Sequence, residues 1–544
     1  MKFKFLTLAV IAMLFTACKP QSESGSENSG TNNNDGEKSY ISISLASSDG
    51  EKRGDGDNDG GYEEGETNER AVKTAYAFFF TDGQPFTNIN SPKNYQQIVD
   101  LTMEDEDQLD NVSDVSGSVL VINGHNGQLP NQLMVVLNWT PQENTYTIEQ
   151  LRKSICVNHM NNIEGTDCFI MSNSVYQSVA GDVYATPLDI TDFYTTSSEA
   201  LAQPVTVYVE RVAAKVRVKT SGDTDAGTDN TKTIYQLKKD KETPLTINGE
   251  NIFAEIIGWD LYKDYEQSTL LKDIQGIGND LGITWNDPNN FRSYWAKCNS
   301  ANEDDDIDYD GITSNIQNNF YCGENTRGNA DADASERTKI FFKAQLQKED
   351  GSFVEYAKWL GNEYIGKDNL LKAVKNTLAY TYYSGTETEG NITYTSIEVN
   401  DLMVVAGTGE EGEPAAYEVY FQINEDVNKT WYKLVNNEFI LISKDDLNVA
   451  LKAIEPAILY SNGYTYYYTD IQHLKTQTAT TYGIVRNHIY EVNIQSITGL
   501  GTPVGDVTSI IEVPVTPTDE DIKTYLAAEI NILSWKLITN DIDL

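Results

Sequence analysis

Apolar side chains recur at every second position over many short runs of this chain, the period of strands with one buried face. Lys38 to Ser47 reads KSYISISLAS, with Ile41, Ile43 and Leu45 on one side and Ser42 and Ser44 on the other. Ala71 to Thr81 (AVKTAYAFFFT) predicts a second strand, and Gln132 to Trp139 (QLMVVLNW) a mostly apolar third. Pro204 to Lys219 alternates through Val205, Val207 and Val209, shifts phase near Arg211, and resumes with Val212, Ala214, Val216 and Val218. Further strands are expected at Phe253 to Leu261, Lys339 to Leu346, Gly463 to Thr469 and Arg486 to Ile497. The last of these puts His488, Tyr490, Val492 and Ile494 on one face. Helical spacing is confined to Thr147 to Ile155 and Asp368 to Asn376.

The stretch from Ile522 to Leu544 carries the same signal. Leu526, Ala528, Ile530 and Ile532 alternate with Ala527, Glu529 and Asn531; the phase then moves by one, to Leu533, Trp535 and Leu537. Such a switch fits a bulge, or one strand handing over to another. Apolar residues continue to Ile542 and Leu544. An apolar strand so placed either closes the sheet of its own domain or fills the sheet of another molecule.

Composition narrows the class. In 544 residues, 82 acidic side chains face 40 basic ones, a formal charge of -42, which argues against nucleic acid and anionic headgroups as partners. Tyrosine is abundant at 32 residues, with many threonines, asparagines and glycines, again favouring strands. The polar run Ser221 to Thr231 (SGDTDAGTDNT) marks a boundary. The expected architecture is mainly β: two β-sandwich domains of transthyretin-like or Greek-key type, residues 54–220 and 221–500, with few short helices and a tail over residues 501–544.

Lys2 and Lys4, the apolar run Phe5 to Phe15, and Thr16-Ala17-Cys18 form a secretory signal resembling a bacterial lipobox, with Cys18 as the acylated residue. Residues 1–17 are then the signal peptide and residues 18–53 a lipidated propeptide that includes the first strand. Between the first two strands lies DGEKRGDGDNDGGYEEGETNER, which has little to bury and is expected to be a loop. It contains Arg53 and Arg70, two candidate cut sites for an arginine-specific protease, Arg53 being preferred because Arg70 abuts the next strand. It also matches a calcium-loop spacing at Asp55, Asp57, Asp59 and Glu66, although the helices that flank such loops are missing from the pattern.

Cys156, Cys168, Cys298 and Cys322 form an even set in an exported chain, suggesting Cys156–Cys168 and Cys298–Cys322 disulfides worth about 2–4 kcal/mol each. Zinc at Cys156, His159 and Cys168 is the lesser alternative, without a fourth ligand. No nucleophile elbow, zincin motif or P-loop occurs, and only four histidines are present, so neither catalytic residues nor a cofactor is expected.

Four stretches, KSYISISLAS with KRGDGD, VERVAAKVRV, VRNHIYEVNIQSITGLG and EINILSWKLITNDIDL, resemble the fimbrilins of Bacteroidales, the stalk subunits of type V pili, most closely those of the Mfa (minor fimbria) type. The resemblance implies export as an outer-membrane lipoprotein, removal of the first strand by an arginine-specific protease at Arg53, and head-to-tail polymerisation into a surface fimbrium. The residues then implicated are Ile41, Ile43 and Leu45 in the leaving strand and Ile530, Ile532, Trp535, Leu537 and Leu544 in the donor tail. Implied partners are other copies, anchor and tip subunits, and host or bacterial surface ligands in adhesion and biofilm formation. Nucleic acid is not among them, and the membrane is met only through the precursor's lipid anchor. Rival readings are a tip or accessory adhesin, and a glycan-binding surface lipoprotein that stays anchored.

Overall fold

The computed structural model describes residues 38–47, 65–87, 91–98, 102–103, 115–123, 128–178, 181–220, 233–240, 242–277, 295–298, 307–312, 315, 317–329, 331–409, 414–473, 481–505, 510–511, 525–533 and 539–540. It is mainly β, with few and short helices. The N-terminal part supplies β1 (Lys38–Ser47), the helical turn α1 (Thr67–Arg70), β2 (Ala75–Thr81), β3 (Val115–Asn123) and β4 (Gln132–Leu137). It continues with β5 (Met171–Asn173), the helix α2 (Ser197–Ala202) and β6 (Val205–Arg211). These strands lie in one sheet in the order β2-β4-β5-β6-β1-β3. Ala75, Ala77 and Phe79 of β2 join Leu133, Val135 and Leu137 of β4 in one core, while Phe78, Phe80, Met134 and Val136 enter another on the opposite face. A sheet covered on both faces needs apolar residues at every position, which is why AYAFFF and LMVVL read as runs rather than alternations.

The C-terminal part supplies β7 (Ala214–Thr220), β8 (Glu250–Tyr262), β9 (Asn319–Cys322), β10 (Lys339–Lys348) and β11 (Tyr464–Asp470). After these come β12 (Ile489–Thr498), β13 (Ile510–Ile511) and β14 (Tyr525–Leu533). One sheet runs β9-β7-β12-β14 and the other contains β8-β10-β11. Val216 and Val218 of β7 and Tyr490, Val492 and Ile494 of β12 pack against Trp259, Phe342 and Leu346 across the shared core. The phase shift near Arg211 is where the chain passes from the first sheet to the second. Val209 packs in the N-terminal core and Val216 in the C-terminal one, and Val212 and Ala213 between the strands are themselves buried.

Between β10 and β11 the chain builds a further core of its own. Helices Lys367–Leu378 and Lys444–Lys452 pack with Trp359, Phe421 and Trp431. The sequence spacing anticipates the first helix, whose Leu370, Leu371, Val374 and Leu378 are buried. Among the described residues no helix is long and apolar enough to cross a membrane.

The strand expected from Ala71 begins only at Ala75, because residues before it are committed elsewhere. The segment expected to be loop up to Arg70 closes instead into α1.

Candidate functional site

The first strand is an interior strand. β1 runs parallel to β6, with Ile43 opposite Val205 and Leu45 opposite Val207, and antiparallel to β3, with Ile41 opposite Leu120 and Lys38 opposite Asn123. A bulge interrupts the second ladder between Ser42 and Ser44, where the intervening Ile43 faces a longer stretch of β3. Ile43 is 1% exposed and shares its core with Leu120, Ile122, Val207 and Val209. Ser42, on the alternate position, is also buried, and α2 packs against both β1 and β3. Taking β1 away would bare the facing edges of β3 and β6 and the floor beneath Ile43. Two open edges over an apolar strip make a ready acceptor for an extended chain.

The tail strand belongs to the sheet that contains β7 and β12. β14 pairs antiparallel with β12 along its length, with Ile532 opposite Tyr490 and Ile530 opposite Val492. On its other side, among the described residues, it pairs at Ile530 and Asn531 with Asn540 and Thr539. Upstream, β13 bridges to Ile307–Asp308, and Ile511 is buried against Ile307, Tyr309, Phe341 and Tyr466 on the outer face of the β8-β10-β11 sheet. The phase shift at Ile532/Leu533 coincides with the end of β14. Ile530-Asn531-Ile532 repeats the apolar-polar-apolar order of Ile41-Ser42-Ile43.

Immediately downstream of the acidic stretch of sequence, a charged clasp fixes α1 at the seam between the two sheets. Glu69 is fully buried; its carboxylate accepts from Lys215 Nζ at 2.7 Å, from the Tyr321 hydroxyl at 2.5 Å and from the Glu66 amide at 2.8 Å. Arg211 Nε donates to the Glu69 carbonyl at 2.7 Å, and its Nη1 reaches Asn487 Oδ1 at 3.3 Å. Burial opposes the charge on Glu69, but the bonds from Lys215, Tyr321 and Glu66 outweigh it and hold the carboxyl below its ordinary value. Burial likewise pulls Arg211 down to about 10, which leaves it charged at neutral pH.

The sign of the pH effect follows from that depressed value. A carboxyl that is more acidic when folded stabilises fully above its unfolded pKa, and the contribution fades as pH falls through the folded one. The stability difference between the wild type and Glu69→Gln, read by urea unfolding, is expected to be full at neutral pH and to shrink in acid. A difference independent of pH would remove the charge from the account.

The four cysteines among the described residues are free thiols, so neither pairing inferred from their even number is formed. Cys156 is buried in the N-terminal core and pairs through its backbone with Ser268, whereas Cys168 lies on the hairpin Met160–Phe169. Cys322 sits inside the C-terminal core, and Cys298 Sγ donates to the Glu324 carbonyl at 2.9 Å. The zinc alternative fares no better on chemistry: burial pushes the Cys156 thiol up to about 12 and His159 down to about 4. His159 Nε2 is 3.3 Å from the Tyr265 carbonyl, and among the described residues no cluster of three potential ligands occurs.

Glu66 of the calcium-like spacing is the residue before α1, 3.6 Å from Lys215 Nζ and bonded by Asn319 at 3.3 Å. Its expected co-ligands Asp55, Asp57 and Asp59 lie outside the described residues, as do Cys18, Arg53, Trp535, Leu537 and Leu544. Sequence reasoning missed the clasp residues Glu69, Lys215, Arg211 and Tyr321. The only local signal was E-T-N-E, a capping-box spacing at the end of an otherwise featureless loop.

Comparison with known proteins then gives the following. No curated protein matches the chain. Among solved structures it is similar to a candidate cell adhesion protein from Bacteroides eggerthii, at 12% identity over 94% of this chain and 98% of that one, with a TM-score of 0.33. It is also similar to a fimbrial assembly protein from Parabacteroides distasonis, at 12% identity, 72% and 99% coverage and a TM-score of 0.30. A third is the tip fimbrial protein Mfa3 from Porphyromonas gingivalis with C-terminal truncation, at 11% identity, 92% and 100% coverage and a TM-score of 0.27. The sequence itself is more informative: residues 458–541, which include β11, β12, β13 and β14, match the family described as major fimbrial subunit protein type IV, fimbrillin, C-terminal.

Proposed function

We propose that this chain is a structural subunit of a cell-surface fimbria, exported as a lipoprotein precursor and joined to further copies by exchange of strands. The observation that carries the reading is the placement of β1. It is the earliest described strand, paired on both edges, and lies upstream of the acidic stretch that contains Arg53. Cleavage at Arg53 would free β1 to leave. The β14 segment of a neighbour is the occupant, because Ile530-Asn531-Ile532 supplies the same side-chain order as Ile41-Ser42-Ile43 and would set Ile532 where Ile43 now lies. The match of residues 458–541 to a fimbrillin C-terminal family supports the same role. Donor and acceptor surfaces differ, so the contacts are head-to-tail and the product is an open filament. Anchor and tip subunits, the arginine-specific protease, and adhesion to host or bacterial surfaces belong to this proposal.

Disulfide trapping tests it. With Ile532→Cys combined with Val205→Cys, or with Val207→Cys to allow for register, protease-treated subunits are expected to form a ladder on a denaturing gel. Ile532→Cys with Tyr490→Cys serves as the intramolecular control, because those positions face each other within one chain. Cross-links that close only within single chains would make β14 an ordinary last strand and remove the mechanism. A second test addresses maturation. Arg53→Ala is expected to leave the precursor unshortened and without fibres; fibres of normal yield from that variant would sink the proposed cut.

A further inference from the structure

Arg70 is an arginine just after the acidic stretch of sequence, and its peptide bond to Ala71 is tied down on both sides. On the amino side, α1 is closed by Glu69 and Arg70 amides donating to the Glu66 carbonyl at 2.9 and 3.2 Å, and the Glu69 carbonyl accepts from Arg211. On the carboxyl side, Asn138 acts as a staple. Its side-chain Nδ2 donates to the Ala71 carbonyl at 2.8 Å and to the Phe169 carbonyl at 2.8 Å. Its Oδ1 accepts from the amides of Lys73 at 2.8 Å and Thr74 at 3.3 Å, and its own amide donates to the Thr74 carbonyl at 2.8 Å. Asn138 is fully buried and holds φ at 56°, a left-handed conformation that asparagine tolerates better than most residues. Buried Glu69, bonded to Lys215 and Tyr321, anchors the helical turn to the second sheet.

A protease must pull several residues around the scissile bond into an extended conformation, so backbone hydrogen bonding and burial decide which arginine it can use. We infer that the Glu69 clasp and the Asn138 staple form a proteolytic stop. They shield the Arg70–Ala71 bond and fix the chain from α1 onward, so that an arginine-specific protease trims the precursor upstream of α1 and no further. Cleavage after Arg70 would cut Ala71, Lys73 and Thr74 away from α1 and from its anchors on β6, β7 and β9. The stop thus keeps the N-terminal end of a trimmed chain seated at the seam between the sheets. The inference concerns the same processing as the proposed function, yet its test does not depend on polymerisation.

The experiment is limited proteolysis of the purified full chain in the Arg53→Ala background by an arginine-specific endoprotease, with the new N-termini mapped by mass spectrometry. In that background the Arg70–Ala71 bond is expected to stay intact while the protein remains folded. Adding Asn138→Ala or Glu69→Gln is expected to raise the rate of cleavage after Arg70 by roughly tenfold or more, since cleavage of a locally opened segment follows its opening equilibrium. Thermal unfolding of each variant checks that the gain is local, and Glu69→Gln keeps the size of the side chain should Asn138→Ala unfold the sheet. Rapid cutting after Arg70 in the Arg53→Ala protein, or equal rates with and without the clasp, would overturn the inference. A wild-type chain that resists at Arg70 but never assembles would leave the stop standing and refute the fimbrial reading instead.

Discussion

Deleting residues 525–544 is expected to give secreted subunits that are still trimmed at their N-terminus but never form fibres. The deleted segment contains β14, whose ladder with β12 runs from Leu533 opposite Ile489 to Tyr525 opposite Thr498. In a filament the same strand would enter the neighbour's groove between β3 and β6. Each apolar side chain fully buried there stabilises the joint by roughly 1.5–3 kcal/mol, and the backbone ladder adds to it. Several such residues make a joint that dissociates very slowly, and without the strand there is no joint. β13 and its buried Ile511 remain in the deletion, so the outer face of the β8-β10-β11 sheet keeps its cover. Because β12 loses its partner, Ile532→Ser in the intact chain is the milder companion variant; it should weaken assembly while leaving the C-terminal sheet paired. Electron microscopy and size-exclusion chromatography of surface extracts read the outcome. Fibres of normal length from the deletion would end the donor-strand account.

Ile43→Asp is expected to destabilise the precursor by about 3–5 kcal/mol, the scale of an uncompensated buried charge. Ile43 is 1% exposed among Leu120, Ile122, Val207 and Val209, none of which can accept or donate through its side chain. The aspartate would stay charged only by opening the sheet at β1. Poor export or early aggregation should follow, because β3 and β6 would then present bare edges before any protease has acted. Comparing Ile43→Val separates packing from charge: losing one methylene costs about 0.5–1.5 kcal/mol and should leave export intact. An Ile43→Asp precursor that is secreted as a stable monomer would mean that β1 is not the plug of its own groove.

The strands themselves were legible from the spacing of apolar residues. Ile43 is buried as its alternation with Ser42 and Ser44 implied, and the runs at Gln132, Lys339 and Ile489 all became interior strands. So was the phase shift near Arg211, although its meaning was not: it marks the passage from one sheet to another. The cysteine count misled, because an even number in an exported chain says nothing of which layer each residue enters. Cys156 and Cys322 are buried thiols, and neither is bonded to its suggested partner, Cys168 or Cys298.

What the sequence determined alone is local: period-two burial, the helix at Lys367–Leu378, and the apolar-polar-apolar order shared by the first strand and the tail. These follow from short-range geometry, in which each side chain's face is set by its own backbone. Partnership was decided only by the tertiary structure. That β1 lies between β6 and β3, that Glu69 finds Lys215 and Tyr321, and that Asn138 holds Ala71, Lys73 and Thr74 depend on contacts between residues remote in the chain. A buried carboxylate or amide is stable only where distant donors and acceptors converge on it, and no periodicity along one strand records where they converge.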